Sequence, residues 1–92
     1  MKMFVSAELL DALKAAQGNV SDYRIAQILG VKQQTVSCYR RGLAQLSSEK
    51  VVLICEMAGL NAGHWLLRMQ LERAKCDSEK AIWNDLLYRL AA

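Results

Sequence analysis

The sequence predicts an all-α protein, a compact bundle of five to six helices in one domain spanning residues 1–92. Three observations carry that expectation. Ala, Leu, Gln, Glu, Lys and Arg dominate while β-branched residues are sparse, which favours helix. No proline interrupts the chain. Apolar residues recur at three- and four-residue spacing between Gly, Ser and Asn punctuation of the kind that opens and closes helices. A length of 92 residues suits one modest core, and a chain 53% hydrophobic and 23% charged is not disordered.

The first helix is expected from Ala7 to Gln17, with Ser6 as N-cap, Glu8 at the positive end of the dipole and Gly18 closing it. Leu9, Leu13 and Ala16 share one face, with Ala12 beside them. The second spans Asp22 to Leu29, capped by Ser21 and stopped by Gly30, with Ile25, Ile28 and Leu29 on its apolar side. The third starts at Lys32 or Gln33, runs to Arg41 and ends at Gly42; Val36 and Tyr39 face inward, with Val31 leading in.

The fourth opens near Ser47 or Ser48 and stops at Gly59. It carries one stripe of Val51, Ile54, Cys55 and Ala58 and a second of Leu53 and Met57. The fifth is capped by Asn61 and reaches Lys75. The sixth starts near Asp77 or Ser78 and reaches Leu90, with Ile82, Trp83, Leu86, Leu87 and Leu90 on one broad face.

The totals exclude several classes of function. The opening "MKMFVSAELL" turns polar too soon for a signal peptide, and no run of about 18 apolar residues predicts a membrane span. Cys38, Cys55 and Cys76 are odd in number and lack CxxC spacing, which predicts free thiols in a reducing cytoplasm and no zinc site. His64 is the only histidine and has no Cys or His at ligand spacing, so neither a metal site nor a Ser/His/Asp arrangement is expected. No glycine-rich phosphate loop is present. No enzyme activity, metal or cofactor is expected.

The net charge of +3 is concentrated. Residues 19–46 hold Arg24, Lys32, Arg40 and Arg41 against Asp22 alone; elsewhere eight cations balance eight acids. Such a patch suits an anionic partner such as nucleic acid, although a solvated helix face is the ordinary alternative.

The patch coincides with "AQILGVKQQTVSCYRRG", residues 26–42. Two helices of eight to ten residues, joined by about three residues around a glycine, make the helix-turn-helix pattern. Ala26 is small where the second helix crosses, Gly30 permits a positive φ in the turn, and Ile25, Val31 and Val36 lock the two helices together. Lys32, Gln33, Gln34, Ser37 and Arg40 then face outward.

The stretch from Asp22 to Arg41 resembles the DNA-binding helix-turn-helix of the Cro/C1-type phage repressor family. Ala26, Gly30, Val31, Val36 and Ser37 match, with Ile25, Leu29 and Tyr39 at core positions. The Gln33-Gln34 pair falls where several phage repressors carry Gln at the start of the recognition helix. The wider chain, including "NAGHWLLRMQLERAK", is similar to small regulators of filamentous phages and prophages. Cys38 departs from the pattern, since many members carry Arg or Lys near that position and a thiol offers little base readout.

The resemblance implies a sequence-specific transcriptional regulator of phage or prophage type that occupies a double-stranded DNA operator and blocks polymerase without a cofactor. Gln33, Gln34 and Ser37 are then expected at base edges, because an amide donates and accepts at once and so matches adenine N6 and N7. Tyr23, Arg24, Lys32, Thr35, Arg40 and Arg41 are expected at phosphates, which set register and affinity but not sequence. One recognition helix reads only a few base pairs, so a palindromic operator read by a homodimer is expected. Residues 61–92 are the expected dimerisation region, with Trp65, Met69, Trp83, Leu87 and Leu90 as anchors; alternatively they close the chain's own core. A second class of function is a protein-interaction module or antirepressor that keeps the fold without DNA binding and docks a host protein.

Overall fold

The computed structural model describes residues 3–91. Six α-helices follow one another, and no strand occurs among the described residues: α1 (Val5–Ala16), α2 (Asp22–Leu29), α3 (Gln33–Arg40), α4 (Ser48–Ala58), α5 (Ala62–Arg73) and α6 (Asp77–Ala91). Local chemistry explains three of the six starts. The Ser21 hydroxyl accepts from the Arg24 N–H at 3.2 Å, Ser47 from the Lys50 N–H at 3.3 Å, and the Asn61 side chain from the His64 N–H at 3.1 Å. Each such cap contributes about 1 kcal/mol.

The start of α1 differs from expectation. The helix begins at Val5 with Phe4 in the cap position, and Ser6 lies inside it, 1% exposed. Its hydroxyl accepts from the Leu46 N–H at 3.1 Å and donates to Met69 Sδ at 3.9 Å. Ser6 therefore satisfies the connection after α3 and pins α5, rather than capping its own helix.

α1 is the hub, packing against α2, α3, α4 and α5. Its many neighbours explain why Leu10 is fully buried along with Leu9 and Leu13, while Ala16 on the expected face is exposed. Ile25, Val36, Leu46, Val51 and Ile54 complete a core with no exposed surface. Each of these aliphatic side chains contributes about 1.5–3 kcal/mol by leaving water.

α5 turns Trp65, Leu66 and Met69 toward this core and packs its other side against α6. Both sides of α5 thus find partners within one chain. Met69 is 2% exposed, so it is a core residue and not a dimer anchor. Trp65, Trp83 and Leu87 are half-buried, and only Leu90 among the five expected anchors is largely exposed, at 45%. α6 rests mainly on α5 and contains no buried residue; its expected broad face is covered in part, leaving Ile82 59% and Leu86 39% exposed.

Candidate nucleic-acid interface

The turn between α2 and α3 is made by Gly30, which takes a left-handed conformation (φ 70°, ψ 32°). The Val31 N–H returns to the Ala26 carbonyl at 3.0 Å, so the reversal closes the end of α2 before Lys32 opens α3. Nothing lies within 4 Å of where a Gly30 Cβ would be; the requirement for glycine here is the backbone angle and not space. Ala26 is 4% exposed at the crossing, as a small residue there must be.

α3 divides cleanly around its axis. Val36 and Tyr39 enter the core at 0% and 7% exposure. Gln33, Gln34, Ser37 and Arg41 are all exposed, and Gln33, Ser37 and Arg41 are spaced by four residues, so they form one row. Lys32 is exposed at the N-cap and makes no side-chain cap bond, while Thr35 and Cys38 are half-buried at the flanks. Tyr23, 59% exposed, and Arg24 stand on the first turn of α2, where Arg24 Nη1 donates to Gln27 Oε1 at 3.2 Å. The structure thus places Gln33, Gln34, Ser37 and Arg41 along the open side of one short helix.

Arg40 behaves differently from its neighbours. Its guanidinium meets Asp22 through two bonds, Nε to Oδ2 at 2.9 Å and Nη2 to Oδ1 at 2.8 Å. Nη1 donates to Asp11 Oδ1 at 2.7 Å. Asp11 is on α1, Asp22 opens α2 and Arg40 ends α3, so one side chain ties the three helices together. Three of the five Arg40 N–H donors, expected at phosphates, are thus committed to carboxylates, and the role they show is that of a clamp. Bonding to Arg40 outweighs partial burial and holds the Asp22 carboxyl below its usual range. The clamp joins one guanidinium to two carboxylates and so keeps a net negative charge beside the exposed cations Lys32, Arg24 and Arg41. Charge at both ends of the motif is visible in the sequence; that Asp22 and Arg40 meet across 18 residues is not.

Among the described residues, no group of three or more side chains suited to a metal gathers, and no helix is long and apolar enough to cross a membrane. Cys38, Cys55 and Cys76 are free. His64 is half-buried with its ring edge-on to Trp65, centroids 5.6 Å apart.

Compared with known proteins, the chain matches no family model, no curated protein and no solved structure.

Proposed function

We propose that the protein is a sequence-specific DNA-binding transcriptional regulator, a repressor of phage or prophage type, that inserts α3 into the major groove of an operator. One observation carries this reading: an eight-residue helix buries Val36 and Tyr39 and leaves Gln33, Gln34, Ser37 and Arg41 open, on a base clamped by Arg40. An α-helix is about 10–12 Å across with its side chains and fits a major groove about 12 Å wide. Gln33 and Gln34 supply paired donor–acceptor amides for adenine, and Ser37 follows one turn on. Lys32, Arg41, Arg24 and Tyr23, all exposed around α3, would take the phosphates, with Thr35 at the flank. Repression then needs only occupancy of the site.

A second reading is favoured by α6, whose Ile82, Leu86 and Tyr88 are 59%, 39% and 76% exposed. On that reading the chain is an interaction module or antirepressor that holds another protein through its C-terminal helices.

Salt separates the two. Fluorescence titration on DNA flanking the gene, with random DNA as competitor, is expected to find a site bound about 10³-fold above random. Its affinity is expected to fall steeply between about 50 and 200 mM salt, as phosphate contacts release counterions. Weak binding that is equal for all sequences, including a screen of upstream and genomic fragments, would remove the regulator reading.

A further inference from the structure

A cavity of about 460 Å³ opens between the N-terminal segment, α5 and α6. Its volume lies in the range of small-molecule sites. Phe4, Val5, Leu71 and Ala74 supply apolar wall, and Arg68, Glu72, Lys80 and Asn84 supply polar wall.

Half of the polar wall is already spent. Arg68 gives Nη1 and Nη2 to Glu8, at 3.3 and 2.5 Å, and lays its guanidinium over the Trp65 ring 4.7 Å from the centroid. Glu72 uses one oxygen for the Val5 N–H at 2.7 Å and the other for Gln45 Nε2 at 2.7 Å. Lys80 and Asn84 remain. Neither makes an ion pair or side-chain hydrogen bond among the described residues, and four residues apart on α6 they stand side by side on the cavity wall. An ammonium beside an amide presents several N–H donors and one full positive charge, which matches a carboxylate.

One wall of the cavity also reaches the turn after the candidate DNA-reading helix. Phe4, one of its walls, lies over Gly42, the glycine that follows α3 (φ 74°). A Cβ on Gly42 would stand 2.6 Å from Phe4 Cε1 and Cε2, so the ring occupies the place a side chain would take. A ligand that displaces Phe4 removes the ring packed on the turn that ends α3. Glu72 adds a second link, through Gln45 in the connection from α3 to α4.

We infer that this cavity is an effector site for a small amphipathic carboxylate, an aryl- or alkyl-substituted acid. The acid group pairs with Lys80 and Asn84, the apolar body lies on Phe4 and Leu71, and occupancy reaches α3 through the Phe4–Gly42 contact. The regulatory meaning rests on the DNA-binding reading; the site and its contact with Gly42 do not.

The test uses 4-phenylbutyrate as probe and 4-phenylbutanol as its uncharged counterpart, titrated into the full chain without DNA and followed by backbone amide NMR. The acid is expected to shift Phe4, Lys80, Asn84 and Gly42 along one saturable curve. Lys80→Met and, separately, Asn84→Ala are expected to weaken binding, the former about tenfold or more. Both positions are exposed, and an unchanged spectrum away from α6 would show that the fold is retained. Equal binding of the alcohol, or undiminished binding to both variants, would overturn the carboxylate site. A Gly42 amide that stays still while the cavity saturates would overturn the link to α3. Failure of the DNA reading would show separately, in the titration of DNA alone.

Discussion

Two side chains on α3 are expected to fail in different ways. Gln33 is exposed at the first position of the helix and has an amide to offer. Gln33→Ala is expected to cost about 1–3 kcal/mol on the operator and to relax preference at one base pair, with little change on random DNA. Arg41 is exposed at the last turn, and Arg41→Ala is expected to weaken operator and random DNA alike and to lower the salt slope by about one. Paired titrations at several salt concentrations check both; a uniform loss for Gln33→Ala would remove it as a reading residue. At this scale the legible features were those set by neighbours in sequence. Ser21, Ser47 and Asn61 cap because their partners lie three residues on, and Gly30 turns because its own backbone requires it. Ser6 was misread and the Arg40 clamp was missed for the opposite reason, since their partners lie 40 and 18 residues away.

For the elements, the decisive arrangement is the clamp across α1, α2 and α3. Asp22 has its carboxyl held below the ordinary value, chiefly by the hydrogen bonds from Arg40. A carboxylate with a lowered folded-state pKa contributes stability above its unfolded pKa, near 3.8, and loses it as pH falls through the folded value. Asp22→Asn is therefore expected to melt below the native protein at neutral pH, and the gap is expected to close as pH drops below about 4. Thermal unfolding of the pair across pH measures this; a gap independent of pH would mean that Asp22 acts through its shape and not its charge. The helix-turn-helix was legible because its apolar spacing, small Ala26 and turn Gly30 are local. The covering of α6 was not. Its apolar stripe is as wide as one that enters a core, yet α5 shields only the Trp83 and Leu87 side, and only the packed chain shows how much a neighbour can reach.

The whole molecule measures about 38 × 26 × 25 Å and presents its candidate reading helix as a single unit. A palindromic site would require two copies. Met69 is unavailable for pairing and Trp83 is partly covered, so the surface left for a second copy is the outer side of α6, where Ile82, Leu86 and Leu90 are 59%, 39% and 45% exposed. Sedimentation at tens of micromolar, with and without operator DNA, is expected to show a dimer on DNA. Ile82→Asp is expected to abolish it while leaving the monomer folded, because that residue supports no core. A chain that stays monomeric on its operator would assign α5 and α6 to closing the monomer alone.

The bonds made by the first turn of α1 have a consequence for the order of events during synthesis. The Val5 N–H, the Ser6 hydroxyl and the Glu8 carboxylate find partners in Glu72, Met69 and Arg68, between 60 and 67 residues downstream. The beginning of the protein therefore has to wait for α5 to leave the ribosome. Until then α2, α3 and α4 can pack on α1, but its first turn lacks its partners, and a nascent chain lacking α5 would expose that end of the hub.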